Sequence, residues 1–217
     1  MLERLARRAA DGTRSARAVV LSDYEYGAVS TTVAAGLRGV AERGGVVILD
    51  PRRVIDELPG LTALTPNLGE LALFVGVRLD ELESSEAIAR AAAEVLARTG
   101  ARWLLVTRGN RGMSLFGEGL PPAGKAVPAS GSGEVTDVCG AGDTAAAVFA
   151  LALAAGEEPA RAMVLANAAS GVVVMEHGAA SCSPAQLAAA LGSDGPPEPP
   201  RGAERTRDSR ANPEATP

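Results

Sequence analysis

Histidine is all but missing from this chain, with His177 the only one among 217 residues. It stands just before Gly178 and reads as a loop residue rather than a catalyst. Cysteine is scarce too. Cys139 and Cys182 show neither metal-ligand spacing nor a disulfide framework, which sets aside a stapled secreted scaffold and points to a reduced, cytoplasmic setting. Aromatic residues make up 3%, too few for an aromatic-rich sandwich, while alanine, valine and leucine dominate, as suits an α/β layer protein. There is no excess of positive charge: the formal net charge is −5. With no basic stripe and no aromatic platform, nucleic acid is excluded as the main partner. The longest apolar runs are interrupted or too short to span a bilayer, so no membrane partner is expected. The opening MLERLARRAADGTRSAR is basic but lacks an apolar core and a small-residue cleavage site, and so is not a signal peptide. No internal repeat is present. No GxGxxG follows an early strand, and no acidic residue sits at the matching later position, which sets aside a Rossmann-type dehydrogenase.

What is present is an alternation of strand and helix patterns over a length that supports one good-sized core. Leu2–Ala10 reads as a short helix broken by Asp11-Gly12, Ala16–Leu21 as a strand, and Ser30–Arg43 as one alanine-rich helix stopped by Gly44-Gly45. Val46–Leu49 is continuously apolar, the pattern of a strand buried on both faces. A short strand precedes Thr65-Pro66-Asn67, where a helix starts. Ser85–Arg98 is helical, Trp103–Val106 a strand, and Met113–Phe116 the first arm of a hairpin. Helices follow at 142–155, 159–175 and 184–191. Alternating elements of this kind predict βαβ units and a largely parallel sheet covered on both faces. From Gly192 onward the chain is rich in proline, glycine and charge, and is expected to be a disordered tail over 192–217.

The chemistry concentrates at Asp137-Val138-Cys139-Gly140-Ala141-Gly142-Asp143-Thr144. Small residues at 140–142 let the backbone approach a ligand and open a helix. The first N–H groups of that helix lack intrahelical partners and lie at the positive end of its dipole, so they suit a phosphate. Asp143 in the same turn can act on whatever is held there. That pairing is the minimum for moving a phosphoryl group onto a hydroxyl, although GxGD alone also describes an ordinary strand-to-helix turn. In open parallel sheets, ligands bind at the carboxyl ends of strands. Those ends read Ser22-Asp23-Tyr24, Asp50-Pro51, Thr65-Pro66-Asn67, Thr107-Arg108-Gly109 and Asp137. Glu70, three residues after Asn67, is either half of a capping box or a carboxylate aimed at hydrated magnesium.

These segments together resemble the ribokinase/PfkB family of sugar kinases. DVCGAGDTAAAVFA is similar to that family's C-terminal signature, TPNLGE to its Asn-x-x-Glu motif, VTRGNRG to its Thr-x-Gly nucleotide loop, and LANAASGVVV to its adenine-side helix. The order of VLSDYEYGAVS, VVILDPRR, LTPNLGELALFVG and LLVTRGNRGMSLF is nearest to the heptose-phosphate kinases within the family. Coverage runs from about Leu2 to Leu191, and several ordered motifs are more specific than any single glycine motif. The resemblance implies a ribokinase-like three-layer αβα (Rossmann-like) α/β sheet over residues 1–191. It implies Asp143 as catalytic base, with the N–H groups of Gly140, Ala141 and Gly142 holding charge on the transferring phosphate. Asn67 and Glu70 would position Mg2+ and phosphate. Thr107 and Gly109 would line the phosphate and ribose side of ATP, and Asn167 the adenine. Asp137, with backbone carbonyls near Val173 and Gly178, falls where many relatives bind a monovalent cation such as K+, although an ordinary loop aspartate would look the same.

Three departures stand out. Cys139 replaces a usual Thr or Ser, and a thiol is the weaker hydrogen-bond partner. Tyr26 stands where heptose kinases commonly have Lys. The chain also starts inside the family's pattern, so it carries the C-terminal, ATP-binding portion, with the lid and the N-terminal strands missing. The expectation is therefore a kinase for a sugar phosphate, D-glycero-D-manno-heptose 7-phosphate or a relative. The alternative is a silent nucleotide-binding remnant, or a fragment that needs a partner for the sugar half. An uncovered strand at Ala16–Leu21 would invite self-association through the sheet edge.

Overall fold

Apolar side chains in the strands alternate between two cores, and this alternation sets the layers. The computed structural model describes residues 1–52, 60–130, 137–176, 178 and 180–192. Six strands lie side by side in chain order: β1 Ala18–Ser22, β2 Val46–Asp50, β3 Ala63–Leu64, β4 Trp103–Thr107, β5 Met113–Gly117 and β6 Lys125–Val127. β1 to β4 are parallel, and β5 and β6 turn back antiparallel. The described helices are α1 Leu2–Gly12, α2 Thr31–Gly36, α3 Arg38–Glu42, α4 Leu68–Val75, α5 Ser85–Thr99, α6 Ala141–Ala155, α7 Pro159–Val173 and α8 Pro184–Ala190. Val47, Leu49, Leu64 and Leu104 join Leu37, Leu71 and Ile88 of the first helices in one core. Val46, Ile48, Ala63 and Leu105 join Phe149 and Met163 of α6 and α7 in the other. The result is the expected three-layer αβα arrangement. Every residue of β2 is buried, which accounts for its unbroken apolar run. Each large aliphatic side chain so buried contributes roughly 1.5–3 kcal/mol before conformational entropy is set against it.

Local chemistry explains most helix boundaries. Ser30, Asn67, Ser84 and Ser183 each accept a hydrogen bond from the backbone N–H three residues on, and so satisfy a donor that the helix cannot. Gly76, Gly100 and Gly156 end α4, α5 and α6 in the left-handed conformation. Two expectations need correction. The helix anticipated over Ser30–Arg43 is two, because i→i−3 bonds from Leu37 N to Ala34 O and from Val40 N to Leu37 O tighten the chain at a buried Leu37. There α1 crosses so closely that a Cβ at Gly36 would lie 2.8 Å from the Ala6 carbonyl oxygen. In addition, α1 does not stop at Asp11-Gly12. It closes at Thr13, whose hydroxyl and N–H both donate to Ala9 O. Elsewhere the ends shift by one or two residues, the first strand beginning at Ala18 rather than Ala16. The tail beyond Gly192 and His177 lie outside the described residues.

Register then places the strand ends at one level. Ala18 pairs with Val46 and Ser22 with Asp50. Ile48 pairs with Ala63 and Leu49 with Leu64, while Ala63 pairs with Trp103. Past β3, Asn67 bridges to Thr107. Ser22, Asp50, Thr65, Asn67 and Thr107 therefore line up along one edge of the sheet, and α6 packs across β1 and β2 from the other side. Among the described residues β1 is an outer strand of the sheet, and Val20 is 37% exposed there.

Candidate active site

Asp143 sits in the first turn of α6, directly over the end of β1. The N-cap is Gly140, whose φ of 79° is left-handed and which offers no side-chain cap, so a glycine is favoured there. The Ala141 N–H is partly occupied by Val138 O at 3.3 Å. A Cβ at either Gly140 or Gly142 would meet nothing within 4 Å. The cradle is thus an open space in front of a helix N-terminus, suited to an anion.

The Asp143 carboxylate is held by two hydroxyl groups. Tyr24 Oη donates to it at 3.0 Å and 2.9 Å from the two oxygens. Ser22 Oγ lies 3.2 Å from Asp143 Oδ1 and 3.5 Å from Asp50 Oδ2, so its single proton serves one carboxylate at a time. The bond to Asp143, and then the charge of Asp143, hold the Tyr24 hydroxyl above its ordinary pKa. Asp50 is buried and accepts from Thr65 Oγ1 at 2.9 Å. Burial pushes its carboxyl up, against the opposing effect of that hydroxyl.

Beyond Asp50 the polar line continues to α4. Asn67 Oδ1 accepts from Glu70 N at 2.9 Å, and Glu70 Oε2 accepts from Asn67 N at 2.8 Å. The Asn67–Glu70 pair is therefore a complete capping box. The second carboxylate oxygen of Glu70 remains on the open side, 3.3 Å from Arg52 Nη1. Burial raises the Glu70 pKa, while the Asn67 N–H and the Arg52 charge work in the opposite sense. Glu70 thus caps the helix with one oxygen and pairs with Arg52 through the other.

On the far side of α6, Thr107, Gly109, Ala141, Gly142 and Asn167 all line a single cavity of about 200 Å³, completed by Ser130, Ser170 and Gly171. Gly171 permits a close approach there, because a Cβ would lie 2.6 Å from Ser130 O. The Asn167 side-chain amide donates to Pro128 O at 2.9 Å, and Ser170 Oγ donates to Ala141 O at 3.0 Å. The first bond ties α7 to the segment after β6, and the second ties it to the cradle. Larger open grooves beside Arg78 and Arg111, and among Arg14, Arg17 and Arg43, gather none of these residues.

Asp137 acts as a clamp on the loop before α6. Its two carboxylate oxygens accept from Cys139 N at 2.9 Å and Gly178 N at 3.2 Å, and its own N–H reaches Val174 O at 3.3 Å. Val173 is buried, and its carbonyl accepts from Glu176 N. The structure thus brings Asp137, Val173 and Gly178 together around one loop. Among the described residues, no group of three or more His, Cys, Asp or Glu side chains is placed to hold a metal. Cys139 is exposed, as is Tyr26.

Two contributors escaped the sequence reading. The sequence marks Tyr24 only within a strand end and the run VLSDYEYGAVS, and Arg52 only within the run VVILDPRR, with no role for either, although Arg52 stands directly after Asp50-Pro51. A cation immediately past a buried strand's carboxyl end was the available signal for Arg52. For Tyr24 there was none, because its partner lies 119 positions away.

This mixed sheet with helices on both faces has the ribokinase-like fold. The chain belongs to the pfkB family of carbohydrate kinases, whose family model matches residues 9–186. Among relatives, it is 44% identical over 178 residues to the bifunctional protein HldE of Methylococcus capsulatus, covering 80% of this chain and 35% of that protein. HldE of Klebsiella pneumoniae is 40% identical over 171 residues, covering 78% of this chain and 34% of the relative. The chain thus spans about a third of the length of these curated relatives. Among solved structures, Arabidopsis thaliana ribokinase complexed with ribose and ATP superposes with a TM-score of 0.71 at 25% identity, covering 85% of this chain and 58% of the other. Phosphofructokinase-2 from Escherichia coli in complex with potassium gives 0.62 at 17% identity, over 80% and 55% of the two chains, and shows the shared fold.

Proposed function

We propose that this chain is the nucleotide-binding and catalytic portion of an ATP-dependent sugar kinase whose acceptor is a sugar phosphate, D-glycero-D-manno-heptose 7-phosphate. The observation that carries the reading is the convergence of Thr107, Gly109, Ala141, Gly142 and Asn167 on one cavity at the first turn of α6, the turn that carries Asp143. The heptose is supported by the HldE relatives at 36–44% identity. In this reading the adenine lies against Asn167, the ribose and phosphates pass Thr107 and Gly109, and the γ-phosphate reaches the N-terminus of α6. Asp143 accepts the proton of the acceptor hydroxyl, whose oxygen forms a bond to γ-phosphorus as the bond to the β-phosphate oxygen breaks and ADP leaves. The N–H groups of Gly140, Ala141 and Gly142 hold the charge that develops on the transferring group. Glu70 and Asn67 would hold Mg2+, which would supply neutralisation of phosphate charge. Asp137, Val173 and Gly178 would hold K+ and stiffen the loop that ends at Gly140.

The described helices include none long and apolar enough to cross a membrane, and the two free cysteines suit the cytoplasm. A second reading draws on the open edge of β1 and on the exposed Tyr24 and Tyr26. There the chain binds nucleotide, and a partner surface supplies the sugar contacts. Millimolar Mg-ATP separates both readings from a silent scaffold. It should raise the thermal midpoint by mass action on the folded state, and an unchanged midpoint in a folded protein would reject both. ADP release that depends on heptose 7-phosphate then distinguishes the kinase from the partner-dependent fragment.

A further inference from the structure

Arg52 lies two residues past the end of β2, where Glu70 and Tyr24 hold its side chain. Its Nη1 is 3.3 Å from Glu70 Oε1, in a pair whose carboxylate side chain is 11% exposed and whose guanidinium side chain is 45% exposed. Its guanidinium carbon stands 5.4 Å from the centroid of the Tyr24 ring, within cation–π range. The hydroxyl of that ring holds both oxygens of Asp143. The guanidinium is therefore braced between the capping-box carboxylate and an aromatic face that ends on Asp143. Its charge is felt at Asp50 and Tyr24 as well as at Glu70. Asp50, Glu70 and Asp143 place three carboxylates at this end of the sheet, and a transferring phosphoryl group adds more negative charge. Among the described residues, Arg52 makes its one hydrogen bond through Nη1, so the rest of a five-donor planar fork remains on the exposed side.

We propose that Arg52 binds the phosphoryl group being transferred, with its fork on the γ-phosphate oxygens of ATP, and that Glu70 and Tyr24 pre-position it there. This rests on the ATP-dependent reading above and adds a phosphate-binding residue to it. The fork matches a phosphate bidentately, which a lysine at the same place does not. The contact distinguishes ATP from ADP, because only ATP carries the γ-phosphate.

The test is calorimetric titration of Mg-ATP and Mg-ADP into the wild type, Arg52→Gln and Arg52→Lys. Arg52→Gln should weaken Mg-ATP about tenfold or more, as expected for loss of charge-assisted bonds, while Mg-ADP stays within about twofold of wild type. Arg52→Lys, which keeps the charge and loses the fork, should fall between the two and guards against a glutamine variant that fails to fold. Equal weakening of both nucleotides, or of neither, would overturn the proposal. So would a loss confined to heptose 7-phosphate, which would place Arg52 on the acceptor. A wild type that binds neither nucleotide would instead reject the nucleotide-site reading itself.

Discussion

Gly142→Ala separates the site from the fold more cleanly than any other single change. Gly142 is in the first turn of α6 and lines the cavity, yet a Cβ there would meet nothing within 4 Å. Among the described residues the added methyl therefore clashes with no atom. Alanine is favoured over glycine in a helix by up to about 1 kcal/mol, less in the first turn. For a domain of this size, that predicts a thermal midpoint unchanged or raised by up to roughly 2–4 °C. The Cβ of a helical residue leans toward the helix N-terminus, which here is the open cradle. A phosphate held by the N–H groups of 140–142 must then retreat and lose at least one charge-assisted bond, worth about 1.5–3 kcal/mol. That is a ~10- to 150-fold weaker Kd for Mg-ATP. Calorimetric titration, with a melting curve on the same preparation, reads both quantities. A folded variant that binds Mg-ATP within twofold of wild type would show that no phosphate comes near residue 142.

Three further outcomes follow from the same geometry. Burial holds the carboxyls of Asp50 and Glu70 above their ordinary range, so the folded state keeps protons that the unfolded chain has released. Their contribution is complete below the ordinary carboxylate pKa and is lost as pH rises through the raised value. Asp50→Asn, which can still accept from Thr65, should therefore flatten the fall in thermal midpoint from about pH 4 upward, and an unaltered slope would refute the assignment. The edge of β1, an outer strand among the described residues, should make the protein self-associate. Light scattering during chromatography should show this, with Val20→Lys shifting the population toward monomer; a wild type that is monomeric at all concentrations would contradict it. Phe149, fully buried where α6 meets the sheet, should cost about 3–5 kcal/mol on truncation to alanine. Chemical denaturation would show it, and a loss below 1 kcal/mol would mean that α6 is not anchored there.

The layered sheet was legible because its information is local. The continuous apolar run of β2, the serine and asparagine caps, and the left-handed glycines each announce themselves within a few residues. The strand-end positions were legible too, since a parallel register aligns Ser22, Asp50, Asn67 and Thr107 once the strands are found. The split at Leu37 was not, because its cause is tertiary: α1 presses on Gly36, and helix propensity carries no record of that contact. The dual role of Glu70 could be posed but not resolved from spacing, which is the same for a capping box and for a group facing the site. The bracing of Asp143 by Tyr24, and of Arg52 by Glu70 and Tyr24, depends on side chains brought together across the sheet. Neither is encoded in any motif.

The most direct test of the central claim is phosphoryl transfer itself, in a coupled ADP-release assay with Mg-ATP and heptose 7-phosphate, comparing the wild type with Asp143→Asn. A base that acts only in the transition state is worth about 10²–10⁴ in rate and little in ground-state binding. Sugar-dependent turnover is expected in the wild type, with a loss of that order in Asp143→Asn and an Mg-ATP affinity that stays within about twofold. Comparable turnover in the two proteins would move the chemistry away from Asp143, and no sugar-dependent turnover from a wild type that binds Mg-ATP would contradict the assignment of this chain as a kinase.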